Sequence, residues 1–305
     1  MKEESGRLGA KAYVTVLSTD NYLEGVLVLN ESLRLCKSKY GLYVVMGSKV
    51  RKSVRDTLAK AGVRMINSQP LNIPEQIRLA NLSSDHHRHW AGVFEKLIVF
   101  SLCQFRKIVY LDSDLLVIKN IDELFDKPHM SAVIADIYPG NHKCVYLNAG
   151  LMVIEPESDL TDRLIELLPN AFESEKQWRT AAGRPVSIGV QSVINMFWSE
   201  WISRNALHLD HKYNVMADQV DYYRRELDCK WRGPDGIHVL HFIGEVKPWM
   251  RTGTDFLRSA GGLVLDRRIG ELAALMAYKA VLRSAQLRIR YVHQREHRGL
   301  NVFEI

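Results

Sequence analysis

Short apolar runs alternate with helical stretches over the first part of the chain, and this alternation restricts the fold more than any other feature. Residues 11–18 form a β-rich run that ends in a turn and capping cluster, after which apolar residues recur at helical spacing. Two further short runs lie at 42–46 and 63–66, and the helical stretch between them, 53–61, stops at Gly62. Strands that alternate with helices predict a parallel or mixed sheet with helices on both faces.

The alternation continues towards the C-terminus. A long polar connection at 67–88 precedes a stretch of helical spacing at 93–105, which leads directly into an apolar strand at 107–111. The remaining predicted elements are strands at 132–135, 151–154 and 237–242 and helices at 159–168, 191–198 and 263–291. Because ligands of open α/β sheets bind beyond the carboxyl ends of the strands, we expect a site in the residues that follow 107–111.

The composition is that of a globular protein, and its charge is concentrated at one end. The chain has 305 residues, of which 47% are hydrophobic and 25% are charged. Its net charge is +6, and residues 251–305, with ten basic and five acidic side chains, account for +5 of it. The main part therefore lacks the basic stripe that is typical of nucleic-acid binding. We predict one main domain over 1–250, a basic helical extension over 251–305, and no nucleic-acid partner.

The sequence favours a cytoplasmic location. The longest apolar runs are far shorter than the roughly 20 residues that span a bilayer. The charged N-terminus, MKEESGRLGAK, lacks the apolar core of a signal peptide. The cysteines are far apart, without the spacings of zinc sites or disulfide frameworks, which fits a reducing compartment: Cys36, Cys103, Cys144 and Cys229.

The basic extension has two interpretations. Its apolar residues recur at helical spacing with arginines between them, which predicts an amphipathic helix. This helix either packs against the main domain with a solvated outer face, or contacts an anionic lipid surface or an acidic partner as a peripheral attachment. The arginines that favour the second interpretation are Arg283, Arg288, Arg290, Arg295 and Arg298.

Two carboxylates follow the strand at 107–111. Asp112 and Asp114 stand two residues apart, so both side chains point to one face while the backbone stays extended. Carboxylates this close repel each other, and a divalent cation or a proton would relieve the repulsion. The alternative is an Asp-rich turn that caps the strand.

A histidine and a lysine lie at the end of the last predicted strand. His241 offers an imidazole nitrogen, although a single histidine is more often a satisfied core residue. Two carboxylates and an imidazole would suit Mn²⁺ better than Mg²⁺, because nitrogen is the softer ligand. Lys247 offers a positive charge to phosphate, or is a solvated loop lysine.

Four motifs, taken in order, resemble the family 8 glycosyltransferases, the glycogenin and galactinol synthase group. The first is the DxD segment KIVYLDSDLLVIKNIDELF at 107–125. The others are YLNAGLM at 146–152, QSVIN at 191–195 and HFIGEVKPW at 241–249. Together they extend the resemblance over roughly residues 11–250.

The resemblance implies an α/β fold of the GT-A type, a Rossmann-like mixed sheet flanked by helices. It implies an enzyme that transfers a hexose from a UDP-sugar, with UDP-glucose or UDP-galactose favoured, to a hydroxyl of a saccharide, lipid or other acceptor with retention of configuration. It also implies Mn²⁺, with Mg²⁺ as the alternative, held by Asp112, Asp114 and His241.

The same resemblance assigns the donor contacts. Tyr22 would stack on uracil, Lys247 and the Gly244 backbone would contact the diphosphate, and 148–150 would line the sugar pocket. Besides the metal ligands, the full set is Leu17, Thr19, Asn21, Tyr22, Lys96, Ser113, Asn148, Ala149, Gly150, Gln191, Gly244 and Lys247. We assign the catalytic roles to Asp114, Gln191 and Lys247.

One residue departs from the family pattern. Many relatives carry an acidic residue directly before the glutamine that matches Gln191, whereas this chain has Val190. Because valine cannot hydrogen-bond a sugar, the chain is either a transferase with a differently built acceptor site or a catalytically weak UDP-sugar-binding protein. The metal and phosphate positions favour the transferase. A phosphohydrolase would require further carboxylates for a two-metal site.

Two other groups have both a structural and a functional interpretation. A cluster of imidazoles in a predicted loop is better explained by solvated or acceptor-facing side chains than by a metal site: His86, His87 and His89. Trp198 and Trp201 are better explained by core packing than by sugar stacking.

Tyr222 and Tyr223 fall in the region where glycogenins carry their self-glucosylated tyrosine. Their spacing does not align with that tyrosine without gaps, so self-glycosylation is the weaker interpretation.

Overall fold

A seven-stranded mixed sheet forms the centre of the protein, for which a computed structural model describes residues 10–83, 88–135, 146–231, 233 and 235–297. The strands are β1 (Ala10–Leu17), β2 (Leu42–Met46), β3 (Arg64–Asn67), β4 (Phe105–Leu111), β5 (Leu115–Val117), β6 (Ala132–Ile134), β7 (Leu147–Ile154), β8 (His208–Leu209), β9 (Val215–Met216) and β10 (Val239–His241). The main sheet has the order β3-β2-β1-β4-β7-β6-β8, and a three-stranded sheet has the order β5-β10-β9.

The first half of the main sheet is parallel. β1 pairs in parallel with both β2 and β4, and β2 pairs in parallel with β3. Val14 of β1 therefore lies between Tyr43 and Tyr110. Strands that are covered on both faces consist of nearly continuous apolar residues, which is why they can be located from the sequence.

The second half of the main sheet is mixed. β7 pairs antiparallel with β4 and β6, and β6 pairs in parallel with the short β8. β7 begins at Leu147, four residues before the predicted start at Leu151. Asn148, Ala149 and Gly150 thus belong to the strand, and they are residues that strands disfavour, which hid the true start.

Helices cover both faces of the main sheet, as predicted. They are α1 (Leu23–Leu35), α2 (Lys52–Lys60), α3 (Glu75–Ser83), α4 (Leu160–Glu166), α5 (Leu168–Ala181), α6 (Val190–Phe197), α7 (Val220–Glu226), α8 (Gly253–Leu265) and α9 (Ile269–His297). Alternate residues of β1 enter different apolar clusters: Tyr13 packs with α1 and α2, and Val14 packs with α4, α5 and α6. The predicted helix-flanked, Rossmann-like mixed sheet is confirmed.

Some local predictions were inaccurate. The stretch at 93–105 is not an α-helix: residues Arg88–Ser101 form a 3-10 helix, and β4 already begins at Phe105. Apolar spacing does not separate the two helix types, because both bring residues three apart to one side. The predicted connection at 67–88 contains α3.

α2 ends just before Gly62, where the sequence predicts the end of this helix. Gly62 has a φ of +71°, a left-handed conformation that glycine adopts without strain. The backbone N–H of Val63 donates to the carbonyl of Leu58 at 3.0 Å, which closes the last turn of the helix.

The basic extension forms α8 and α9, and α9 packs along α1. Glu31 of α1 is buried, and its carboxylate accepts a hydrogen bond of 2.7 Å from Ser284 and forms an ion pair with Arg288 at 3.0 Å. Tyr278 of α9 is also fully buried. The extension is therefore a packed element of the fold. None of the described helices is both long and apolar enough to cross a bilayer.

Candidate functional site

The loop between β4 and β5 is clamped from two sides. The backbone N–H of Asp112 donates to the carbonyl of Gly150 in β7 at 2.8 Å, and Leu115 N–H donates back to the carbonyl of Asp112 at 3.2 Å. On the other side, α1 approaches so closely that a Cβ on Gly25 would lie 2.3 Å from the carbonyl oxygen of Ser113. The backbone of the two-carboxylate loop is thus held by a strand and a helix.

Asp112 is bound by two groups from neighbouring elements. The hydroxyl of Tyr110, at the end of β4, donates to Oδ1 at 2.6 Å. The ammonium of Lys96, from the 3-10 helix, lies 2.7 Å from the same oxygen and donates to the carbonyl of Ala149 at 3.3 Å. Lys96 therefore links the first carboxylate to β7.

Asp114 is paired with two residues of the last motif. Lys247 donates to Oδ2 at 2.7 Å, and His241 Nε2 lies 3.4 Å from Oδ1. Burial raises the pKa of Asp114, but the charges and hydrogen bonds of His241 and Lys247 outweigh burial and hold the pKa below that of an ordinary carboxyl group. Asp114, which is 9% exposed, is therefore an anion at neutral pH.

Asp112, Asp114 and His241 converge as the sequence predicts. Each offers one ligand atom, and these atoms lie within 4.8 Å of one another. The donor set of two carboxylates and one imidazole suits a divalent cation of intermediate hardness. Asp112 keeps a quarter of its side-chain surface exposed, so the group is open on one side to further ligands. The residues present thus fit a catalytic rather than a closed structural metal site.

Two uncharged residues position His241: Asn214, which lies outside the four motifs, and Gly150, which lies in the second motif but was assigned to the sugar pocket. Asn214 places Oδ1 2.9 Å from Nδ1 of the imidazole. Gly150 leaves space for the ring, since a Cβ there would lie 2.6 Å from His241 Cε1. The sequence signal for Gly150 was its motif, whereas Asn214 carried none.

Gln191 is tied to β7. Its side-chain Oε1 accepts a hydrogen bond of 3.0 Å from the backbone N–H of Ala149.

Asn81 holds the segment that precedes α6. Ile188, in this segment, exchanges two hydrogen bonds of 2.9 Å with the buried side chain of Asn81. Asn81 was not recognised in the sequence, although it fixes the chain that leads to Gln191.

Val190 is a core residue. It is 3% exposed and lies in the apolar cluster that contains α4, α5 and α6. The departure from the family pattern therefore lies among apolar side chains of the core.

The segment after β1 lies against the last motif. The indole of Trp249 donates to the carbonyl of Asn21 at 2.9 Å, and its ring contacts Tyr22 edge to face. Burial, together with the negative charges of Asp114 and Asp112, raises the pKa of Tyr22 to about 12. Thr19 and Asn21 are exposed, and Leu17 is buried in β1.

Of three further candidate residues, one is exposed and two are buried. Gly244 is exposed in the loop between His241 and Lys247, with a φ of +91°. Trp201 is buried and donates its indole N–H to the carbonyl of Met130 at 2.8 Å, which fits core packing. Tyr223 is only 3% exposed.

His86, His87, Cys144 and Arg298 lie outside the described residues, as does the side chain of His89.

The geometry and the likeness to known structures define the class. The galactosyltransferase LgtC, in a complex with donor and acceptor sugar analogs, has a TM-score of 0.55 at 16% identity, covering 90% of this chain and 96% of that one. The glycosyltransferase GlyE of Streptococcus pneumoniae TIGR4 has a TM-score of 0.52 at 19% identity, covering 90% and 63%. The fold is that of the GT-A glycosyltransferases.

The sequence then gives the family. Residues 13–253 match glycosyl transferase family 8, and the chain belongs to this family. Human glycogenin-1 is 30% identical over 244 residues, which are 79% of this chain and 63% of glycogenin-1. UDP-glucuronate:xylan alpha-glucuronosyltransferase 1 of Arabidopsis thaliana is 28% identical over 242 residues, 79% of this chain and 32% of that protein. The chain thus spans less than two thirds of the length of these relatives.

Proposed function

We propose that this glycosyltransferase moves a hexose from a UDP-sugar, with UDP-glucose or UDP-galactose favoured, to an acceptor hydroxyl with retention of configuration. The observation that carries the proposal is the convergence of Asp112, Asp114 and His241 within 4.8 Å, at the carboxyl end of β4. Ligands of α/β sheets bind at this edge. The UDP-glucuronate:xylan alpha-glucuronosyltransferase among the relatives supports a sugar nucleotide as the donor.

The metal of this proposal is Mn²⁺, with Mg²⁺ as the alternative, held by the same three residues. When bound, a divalent cation would stabilise the negative charge that develops on the departing diphosphate. The loop backbone, held by Gly150 and by α1, keeps the two carboxylates in place. This preorganisation reduces the rearrangement that binding requires.

Two lysines have separate roles. Lys247 is buried, and its Nζ donates to both Asp114 and the carbonyl of Phe242. We assign it to the diphosphate, whose charge it would neutralise as the glycosyl bond breaks. Lys96 binds Asp112 and the carbonyl of Ala149, which places its ammonium between the first carboxylate and the proposed sugar pocket.

The segments around the two carboxylates would form the donor pocket. We assign the uracil and ribose to Leu17, Thr19, Asn21 and Tyr22, and the diphosphate also to Ser113 and the backbone of Gly244. Asn148, Ala149 and Gly150 would line the sugar, with Gln191 behind them through its bond to Ala149 N–H. In the proposed front-face reaction the acceptor hydroxyl attacks from the side that the diphosphate leaves, and its proton passes to a phosphate oxygen.

We also propose an acceptor class and a location. The acceptor is a hydroxyl of a saccharide, a lipid or another molecule, and the location is cytoplasmic. A peripheral contact of the basic extension with an anionic surface also belongs here, supported by the exposed Leu257 and Leu265 of α8.

The experiment is release of UDP from a panel of UDP-sugars without acceptor, with and without Mn²⁺. The natural chain is compared with a double variant, Asp112→Asn and Asp114→Asn, and with Asp126→Asn as the matched control, since Asp126 is an exposed carboxylate elsewhere on the surface. We expect slow, metal-dependent release from one or two sugars, unchanged in the control and abolished in the double variant.

The second candidate is a catalytically weak UDP-sugar-binding protein. If no sugar releases UDP while UDP binds with Mn²⁺, this candidate replaces the transferase. If UDP does not bind at all, both proposals are wrong.

A further inference from the structure

We propose that Asn214 is a positioning residue for His241. Its carboxamide oxygen would keep the imidazole proton on Nδ1, so that Nε2 is the nitrogen presented to a divalent cation. The inference rests on the proposed function and names a residue outside the four motifs.

The two ring nitrogens of His241 face different partners. Nδ1 lies 2.9 Å from Asn214 Oδ1, and Nε2 lies 3.4 Å from Asp114 Oδ1 on the side of the carboxylate pair. A carboxamide oxygen only accepts hydrogen bonds, so the Nδ1 atom must be the donor. An imidazole that binds a divalent cation is neutral and carries a single N–H, and when this N–H is on Nδ1 the lone pair is on Nε2. The hydrogen bond to Asn214 thus selects the tautomer that can act as a ligand.

The backbone places Asn214 at this position. Asp210 accepts a hydrogen bond of 2.8 Å from the backbone N–H of Lys212, which caps the short turn before Asn214. β9 then begins at Val215, which is paired with Leu240 of β10. Because β10 ends in His241, the strand pairing brings the two side chains together. Asn214 is fully buried, so water does not compete for the bond.

β7 confines the ring from another direction. A Cβ at Gly150 would lie 2.6 Å from Cε1 and 3.1 Å from Nδ1 of His241. The backbone of the strand therefore packs against the imidazole, and the hydrogen bond of Asn214 fixes its remaining rotation.

The NH₂ group of Asn214 indicates that this residue does not serve mainly to stabilise the fold. Asn214 Nδ2 is buried without a hydrogen-bond partner among the described residues. An unpaired buried N–H group opposes folding, and an apolar side chain of similar size would avoid it. An asparagine that leaves one donor unpaired while its oxygen binds His241 fits a positioning role.

The test compares Asn214→Leu, which keeps the approximate volume, with Asn214→Asp, which keeps an oxygen acceptor. Val215→Ala is the control for general loosening, because Val215 is the adjacent buried residue. Mn²⁺ affinity in the presence of UDP is measured by electron paramagnetic resonance. Long-range ¹H–¹⁵N correlation spectra with Mg²⁺ and UDP report which nitrogen of His241 carries the proton.

We expect the leucine variant to bind Mn²⁺ about 10- to 100-fold more weakly, the loss typical of groups that orient metal ligands. The aspartate variant and Val215→Ala should bind at least about as tightly as the natural chain, and the natural chain should show the proton on Nδ1. The inference is overturned if the leucine variant binds Mn²⁺ as tightly as the natural chain, or if both Asn214 variants lose the same affinity. It is also overturned if His241 of the natural chain carries its proton on Nε2. If the natural chain itself fails to bind Mn²⁺ with UDP, the proposed metal is wrong and this inference falls with it.

Discussion

The ammonium of Lys247 donates a hydrogen bond of 2.7 Å to Oδ2 of Asp114, a residue 133 positions earlier in the chain, and both side chains are nearly removed from solvent. A buried ion pair is maintained only where each charge is well compensated. The pair therefore joins the loop after β4, near the middle of the predicted catalytic domain, to the last motif at its end.

Replacing Lys247 with methionine tests this point. The change keeps most of the volume and removes the charge, so we expect transfer to fall by at least about 100-fold, as is typical when a group that stabilises developing charge is lost. Lys247→Arg keeps the charge and should lose less. The rate of UDP release from the preferred donor is the measurement, and a methionine variant with near-natural rates would show that Lys247 does not contact the diphosphate.

Gly25→Ala tests the contact between α1 and the two-carboxylate loop. The added Cβ would lie 2.3 Å from the Ser113 carbonyl oxygen and 3.1 Å from the Trp249 ring, so the helix or the loop must move. We expect a loss of roughly 1–3 kcal/mol in the free energy of unfolding, the usual range for overpacking. Gly262→Ala in α8 is the control.

The control meets no atom within 4 Å of its new Cβ and should stabilise α8 by about 0.5–1 kcal/mol, because alanine favours helices over glycine. Urea unfolding of both variants is the measurement. Equal stability of the two would mean that α1 can withdraw from the loop at no cost.

Val190→Asp tests whether the missing acidic residue limits activity. Because Val190 is buried among apolar side chains, an aspartate would place a carboxylate in the core. We expect destabilisation of about 3 kcal/mol or more and no gain in transfer. Val190→Ile is the conservative control. A stable aspartate variant with faster transfer would show that position 190 reaches the acceptor and that our assignment of its environment is wrong.

Asp122 gives a pH-dependent contribution to stability. Burial raises its pKa, but hydrogen bonds from the Lys39 backbone and from Ser38, Tyr13 and Asn120 outweigh burial and lower the pKa below the ordinary value. A group whose pKa is depressed on folding stabilises the native state above its unfolded pKa, about 3.9, and this contribution is lost as the pH falls through the folded value.

Asp122→Asn should therefore lower the free energy of unfolding at pH 7 by about 1–2 kcal/mol, in line with the loss of hydrogen bonds to a charged group. The difference from the natural chain should shrink as the pH drops from 5 to about 3. Thermal unfolding across this range is the measurement. If the difference in the free energy of unfolding between the variant and the natural chain does not change with pH, the charge of Asp122 is not its source.

The charged parts of the site were predictable from the sequence. Asp112, Asp114, His241 and Lys247 stand in motifs at the ends of apolar runs, and the structure brings all four together. Motifs are local, so a short window around each strand end contains the information.

The neutral supports of the site were not predictable in this way. Asn81 binds Ile188 across 107 residues, and Asn214 binds His241 across 27. A single buried asparagine has no periodicity or spacing that distinguishes it from a turn residue. β9, which positions Asn214, has two residues and is too short to produce a strand pattern.

The packing of α9 against α1 has a practical consequence for anyone who shortens this enzyme. The match to the family ends at residue 253, before α9 begins. A chain cut there would leave Glu31 in the face of α1 without Ser284 and Arg288, and it would uncover the apolar residues that now surround Tyr278. Since α1, on which α9 packs, also places Gly25 against the two-carboxylate loop, we expect a truncation chosen from family boundaries alone to yield a poorly soluble protein with a less firmly held site.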